Sequence, residues 1–202
     1  PLYDEAKRRA REGSTETVRR GVGVAIGIYN ANDDGPDDAN SHVELTREGV
    51  TIYNTWEDHG QGADMGCVGT AHEALRPLGL EPEQIKLVCN DTAKAPNSGA
   101  AAASRSQVMV GNAIVDSCRN LLDAMRRSDG TYRTYDEMVA EGLPTYHEGY
   151  WKATLRNREG AIQFCTDMDG ETGQGYPFAN HMFGLFMAEV AVDVTTGKVT
   201  VE

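Results

Sequence analysis

Two segments of the sequence have the composition expected of loops that bind a charged ligand. Each follows a predicted strand and passes through glycine or alanine directly into a predicted helix: residues 58–64 (DHGQGAD) and residues 96–105 (PNSGAAAASR). Small residues let backbone N–H groups approach a ligand closely, and a helix N-terminus contributes about half a positive charge. Two such loops in one domain predict a ligand with two or more phosphate groups.

A purely structural role for both loops stays open, because glycines before helices are also common turn residues. Two known phosphate-binding motifs are excluded. The P-loop pattern G-x-x-x-x-G-K-[ST] does not occur, and Gly21-Val22-Gly23 lies within a predicted strand rather than before a helix. Any ligand of these loops is therefore held in neither of those two ways.

Each loop needs a strand before it and a helix after it. The first loop lies between a predicted strand at 50–55 and a predicted helix at 63–78, in which apolar residues recur at helical spacing. The second lies between a strand at 85–89 and a helix that we expect to begin at Ser104, with Gln107 completing a capping box. The two helices should thus present their N-termini to the two loops.

The rest of the chain is rich in strands. Residues 21–29 alternate apolar with glycine or alanine, residues 43–53 form a predicted hairpin, and residues 183–201 form a second, longer one. Strands outnumber helices, and hairpins argue against a doubly wound parallel sheet. The predicted fold class is α+β, with antiparallel or mixed sheets and two main helices.

Composition excludes several classes of function. The 31 acidic and 19 basic residues give a formal charge of −12, which disfavours nucleic acid and anionic lipid as partners. No run approaches the ~20 apolar residues of a membrane span. Four well-separated cysteines, with no C-x-x-C pair, and isolated histidines give no metal-ligand spacing, so we assign no metal-binding residue. The start at Pro1 and the end inside a predicted hairpin indicate a piece of a longer polypeptide.

Several motifs resemble the molybdopterin-binding region of the xanthine oxidase family of molybdenum hydroxylases. They are, in chain order, GQG at 60–62, DT at 91–92, PNSG at 96–99, ASRS at 103–106 and MAEVAVDVTTGKV at 187–199. Residues 58–64 (DHGQGAD) and 96–99 (PNSG) are particularly similar to the single-chain aldehyde oxidoreductases of sulfate-reducing bacteria. The resemblance divides the chain into an N-terminal helix and connection, 1–20, and a cofactor-binding segment, 21–202, that continues beyond residue 202 in the parent chain.

The resemblance implies molybdopterin cytosine dinucleotide with molybdenum as the cofactor, and this ligand has two phosphate groups. It implies one wall of cofactor contacts from the first loop and a second wall from the second loop, with Arg105 or the helix N-terminus facing negative charge. The implied contacts are His59, Gly60, Gln61, Gly62, Ala63, Ala101, Ala102, Ala103, Ser104, Arg105 and Gln107. Many relatives carry glycine where this chain has alanines at 100–103. Tyr29 and Asn30 would border the substrate approach, with packing as the alternative for Tyr29.

The implied activity is the oxidation of aldehydes to carboxylic acids with oxygen from water. The family's catalytic glutamate lies in a Gly-x-Gly-Glu segment that does not occur here. We therefore expect no catalytic residue in this chain and no activity from it alone. The [2Fe-2S] clusters of the family would lie elsewhere in the parent chain.

The expected partners are a small-molecule aldehyde, the remainder of the polypeptide, an electron acceptor protein and a second copy in a homodimer, with no nucleic acid and no membrane. We expect a cytoplasmic location, with the periplasm as the alternative. The competing hypothesis is a non-catalytic scaffold or interaction module whose glycine loops are only turns.

Overall fold

The computed structural model describes residues 2–32, 35–89, 91–102, 104–156 and 159–202. In chain order its helices and strands are α1 Leu2–Glu12, β1 Val18–Asn30, β2 Asp38–Leu45, β3 Val50–Asn54, α2 Ala63–Ala74, β4 Ile85–Cys89, α3 Gly111–Met125, α4 Tyr135–Ala140, β5 Tyr146–Lys152, β6 Thr154–Arg156, β7 Ile162–Phe164, β8 His181–Asp193 and β9 Val199–Val201. The predicted α+β class is confirmed. Within the described residues, none of the helices is long and apolar enough to cross a lipid bilayer.

The chain folds as two compact units. The first combines both ends of the sequence, Pro1–Tyr29 and Met182–Glu202, and the second is Asn30–His181. This division differs from the predicted boundary after residue 20, which followed sequence order. Strand β1 pairs with β8 from the far end of the chain, so α1 and the strand that follows it belong to the same unit.

In the first unit a three-stranded sheet has the order β1-β8-β9. The predicted terminal hairpin is present, with Val190 opposite Val201 and Val192 opposite Val199. Gly197 closes its turn at φ +74°, a conformation that glycine adopts without steric cost. Helix α1 is tied to β8 of the same unit by an ion pair of 2.6 Å between Arg9 and Glu189.

In the second unit a four-stranded mixed sheet has the order β4-β3-β2-β5. Strands β2 and β3 form the predicted hairpin, with Leu45 opposite Val50, and β3 runs parallel to β4. In β2 every second residue from Ala39 to Leu45 is buried, as expected for a strand with one face in the core. Helices α2 and α3 contribute Cys67, Ala71, Ile114 and Leu121 to the same core.

Helix α3 lies very close to β5, and a glycine permits the approach. A Cβ built on Gly149 would lie 2.2 Å from the Ala113 carbonyl oxygen and 2.4 Å from the Ser117 nitrogen. Any side chain at this position would therefore push the helix away from the sheet. Helix α3 follows the second predicted ligand loop along the chain, so its close packing on β5 also holds the segment that leaves that loop.

Two predicted helix boundaries need correction. The helix predicted at 63–78 ends at Ala74, and Arg76–Leu78 is a 3-10 turn with Pro77 in its first positions. The second helix begins with a π turn, Ser106–Val110, and its N-cap is Arg105, whose side chain makes no capping hydrogen bond. Gln107 therefore lies inside the π turn and not at the third helical position that the capping box requires.

A candidate cofactor cavity between two loops

A cavity of about 470 Å³ lies in the second unit where the two glycine- and alanine-rich loops meet. This volume is within the range of sites for organic ligands. The cavity is lined by Trp56, His59, Gln61, Gly62, Ala63, Gly66, Ala101, Ala102, Ser104, Ser106 and Gln107. Eight of these eleven residues are cofactor contacts proposed from the sequence, so the fold brings both predicted walls to one cavity.

Five proposed residues lie away from the cavity or outside the described residues. Gly60 is in the first loop at φ +107° but does not line the cavity. Ala103 lies outside the described residues. Tyr29 is 57% exposed at the end of β1, in the first unit, and Asn30 donates a hydrogen bond to the Asn32 carbonyl. Their role beside the substrate stays a prediction; the fifth residue, Arg105, is treated below.

Three lining residues were missed from the sequence: Trp56, Gly66 and Ser106. Gly66 lies three positions after Ala63 on α2, so helical spacing would have found it. A Cβ on Gly66 would lie 3.2 Å from the Trp56 ring and 3.3 Å from Gln107 Oε1. The absence of a side chain at this position lets the Trp56 ring and the Gln107 amide both approach α2 closely.

The first loop is organised by its own carboxylate. Asp58 Oδ1 accepts hydrogen bonds from the backbone N–H groups of Gly60 at 2.7 Å and Gly62 at 3.2 Å, and Oδ2 accepts one from Asp64 at 3.2 Å. These bonds, with that from Gly60 strongest, lower the pKa of the Asp58 carboxyl. The N–H groups expected to hold a ligand phosphate therefore already bind an anion that the chain supplies.

The side chains of the first loop also bond within the loop. Gln61 Oε1 accepts from the His59 backbone N–H at 2.6 Å, and Gln61 Nε2 donates to the Glu57 carbonyl at 3.1 Å. Gly62, the N-cap of α2, has φ +86°, and a Cβ there would meet no atom within 4 Å. Open space at a left-handed residue beside the cavity is what close approach of a ligand requires.

The second loop is organised by a cation, and this corrects the expectation that Arg105 faces a ligand anion. The Arg105 side chain is 2% exposed and forms a buried ion pair of 2.7 Å with Asp37. Its guanidinium also donates to the carbonyl oxygens of Ser98, Ala100 and Asp38 at 2.7–2.9 Å. A guanidinium has five N–H donors, and these contacts use all of them, so the side chain stabilises the loop from inside.

The segment between β3 and the first loop is joined to the second loop by a reciprocal pair of hydrogen bonds. The Thr55 N–H donates to Ser98 Oγ, and the Ser98 N–H donates to Thr55 Oγ1, each at 3.0 Å. Ser98 Oγ also donates to the Asn40 carbonyl at 2.7 Å, and the Ser98 side chain is fully buried. The chain that enters the first loop and the first part of the second loop are thus held at a fixed separation.

The chemistry of the lining fits a polar heterocycle better than a bare anion. Amides from Gln61 and Gln107 and hydroxyls from Ser104 and Ser106 can both donate and accept hydrogen bonds. Among the described lining residues, His59 is the only one that can carry a positive charge. A molybdopterin ring system, with N–H and C=O groups along its edge, fits this donor and acceptor set and the small-residue walls.

Within the described part of the chain, no group of three or more His, Cys, Asp or Glu side chains could hold a metal ion. All four cysteines are free thiols, and three of them are buried.

Comparison with known proteins identifies the family to which the chain belongs. The family model described as molybdopterin cofactor-binding domain matches residues 1–202, so the chain belongs to that family. This confirms the resemblance read from the loop motifs.

Individual members of related enzyme groups show how similar the chain is to each of them. An aldehyde oxidoreductase of Megalodesulfovibrio gigas is 50% identical over 203 residues, which cover 100% of this chain and 21% of that protein. A xanthine dehydrogenase of Oryza sativa is 27% identical over 164 residues, covering 79% of this chain and 11% of that protein. The crystal structure of the aldehyde oxidoreductase from Desulfovibrio desulfuricans matches with a TM-score of 0.88 and 53% identity, over 100% of this chain and 21% of that one. The chain thus spans about a fifth of the length of these aldehyde oxidoreductases.

Proposed function

We propose that this chain binds molybdopterin as its cytosine dinucleotide in the cavity between the two loops, within a longer molybdenum hydroxylase that oxidises aldehydes to carboxylic acids. The observation that carries the proposal is the convergence of eight sequence-selected residues on one cavity. Family membership supports the cofactor, and the aldehyde oxidoreductase relative supports the substrate class.

When bound, the molybdenum centre supplies the two-electron oxidation that adds oxygen from water to the aldehyde carbon. This chain's residues bind and orient the group. Gln61 and Gln107 offer amides to polar edges, Ser104 and Ser106 offer hydroxyls, and the glycines and alanines allow close approach. No residue of this chain is assigned to catalysis.

The same proposal includes the rest of the parent polypeptide, its electron acceptor and its oligomeric state. The catalytic glutamate and the [2Fe-2S] clusters lie elsewhere in the parent polypeptide, electrons pass to a separate acceptor protein, and the enzyme is a cytoplasmic homodimer. Tyr29 and Asn30 border the substrate approach.

Metal and nucleotide analysis of the full-length polypeptide tests the cofactor. We expect molybdenum and cytidine monophosphate, released by acid hydrolysis, in equal amounts with the protein. Molybdenum with a different nucleotide, or with none, would contradict the cytosine dinucleotide form. Absence of both molybdenum and pterin would favour the non-catalytic scaffold, whose loops are only turns.

The isolated 202-residue chain tests whether cofactor binding and catalysis lie in different parts of the parent polypeptide. Supplied with cofactor and an aldehyde, it should reduce no electron-accepting dye, whereas the full-length polypeptide should do so. Turnover by the isolated chain would show that a catalytic group lies within residues 1–202.

A further inference from the structure

The second unit contains a buried ion pair that does not itself line the cavity. Arg105 Nε lies 3.0 Å from both carboxylate oxygens of Asp37, and Arg105 Nη2 lies 2.7 Å from Oδ1. The two side chains are 2% and 5% exposed. A buried ion pair gives little net stability compared with apolar residues of similar volume. Stability alone therefore does not account for this pair.

The geometry shows the second loop folded around the guanidinium. Arg105 Nη1 donates to the carbonyls of Ser98 and Ala100, both at 2.9 Å, on either side of Gly99. Gly99 has φ +78°, and a Cβ there would lie 2.2 Å from Arg105 Nη2. The loop can adopt this path only because residue 99 has no side chain and residue 105 has a planar fork of donors.

The same loop supplies part of the cavity wall. Ala101 and Ala102 line the cavity, and they directly follow the carbonyl of Ala100 that the guanidinium holds. The backbone N–H of Arg105 donates to the Ala102 carbonyl at 2.8 Å. Arg105 therefore contacts the backbone at both ends of the two wall residues, by its side chain and by its main chain.

We infer that Arg105, oriented by Asp37, is a positioning residue for the cofactor, which sets the path of residues 98–102 so that Ala101 and Ala102 form a close wall. The inference rests on the proposed function, because the ligand of the wall is the proposed molybdopterin. It predicts that a lysine at 105, which keeps the charge but lacks the planar fork, loses the wall geometry.

The test uses Arg105→Lys and Asp37→Asn in the full-length polypeptide. Asp37→Asn serves where Arg105→Lys does not fold. The control is Leu121→Ala, a fully buried α3 residue that does not line the cavity, so it lowers global stability without touching the loop. All variants are compared by thermal midpoint, molybdopterin content and amide hydrogen exchange of the cofactor-free protein.

In both Arg105→Lys and Asp37→Asn we expect amide hydrogen exchange in residues 98–102 to rise about tenfold, since one or more hydrogen bonds to the loop are lost. Exchange in β4 should stay unchanged. Molybdopterin content should fall well below that of the Leu121→Ala control at an equal thermal midpoint. Unchanged loop exchange, or equal cofactor loss in the control, would overturn the inference and leave the proposed function intact. Absence of molybdopterin from the unsubstituted protein would instead overturn the proposed function, and this inference with it.

Discussion

The two loops that form the cavity have similar compositions, but side chains of opposite charge hold their backbones. In the first, the exposed carboxylate of Asp58 accepts hydrogen bonds from backbone N–H groups. In the second, the buried guanidinium of Arg105 donates hydrogen bonds to backbone carbonyls. Glycine-rich composition thus indicates where a backbone can approach a ligand, but it does not tell which backbone groups are left for that ligand.

The difference predicts unequal sensitivity to loss of the supporting charge. Arg105→Gln would leave the Asp37 carboxylate buried without its ion-pair partner, which costs about 3–5 kcal/mol of unfolding free energy. Urea denaturation of the cofactor-free protein measures this loss. Arg119→Gln is the matched control, because Arg119 is exposed and forms an ion pair of 3.5 Å with Asp116, three positions away. It should change stability by less than about 0.5 kcal/mol. Equal small effects would mean that Arg105 does not support the second loop.

Alanine substitutions at the left-handed glycines sharpen the contrast. Gly62→Ala adds a methyl group in open space at φ +86°, so only backbone strain opposes it, at roughly 1–2 kcal/mol. Gly99→Ala adds similar strain at φ +78° and a clash 2.2 Å from Arg105 Nη2, which adds about 1–3 kcal/mol. Thermal unfolding of the two variants in parallel checks the order. A larger loss from Gly62→Ala would contradict the account of the second loop.

The link between the loops can be measured by a double-mutant cycle. Ser98→Ala removes a buried hydroxyl that accepts from the Thr55 N–H and donates to the Asn40 carbonyl, at a cost of about 1–3 kcal/mol. Thr55→Val removes the reciprocal acceptor. Because the two residues bond to each other, their effects on stability should be non-additive by at least roughly 0.5 kcal/mol. Additive effects would indicate that the loops are held independently.

The smallest effect is expected at the first loop and depends on pH. Hydrogen bonds from Gly60 and Asp64 lower the pKa of the Asp58 carboxyl, so this support is present above the ordinary carboxyl pKa and is lost as the pH falls through the lower, folded-state value. The amide resonances of Gly60 and Gly62 should therefore titrate together in the acid range. In Asp58→Asn the same resonances should not titrate there, and titration that persists would assign the effect to another group.

The sequence by itself located both loops and indicated the family to which the chain belongs. The strand predicted at 50–55 ends one residue earlier, at Asn54, and the strand 85–89 and the start of the helix at Ala63 lie where they were predicted. All three follow from local periodicity and turn residues. These features depend on interactions between near neighbours in the chain, which is why they can be read without a structure. Helical spacing would also have added Gly66 to the lining.

Tertiary structure alone decided what each polar side chain of the site contacts. Arg105 meets Asp37 across 68 positions of sequence, and Ser98 meets Thr55 across 43. Nothing local selects these partners, because they result from the packing of β2, β3 and α3 around one core. The direction of the Arg105 side chain, towards a buried carboxylate and away from the cavity, is set by that packing: a guanidinium surrounded by a carboxylate and three carbonyls within reach uses its donors there.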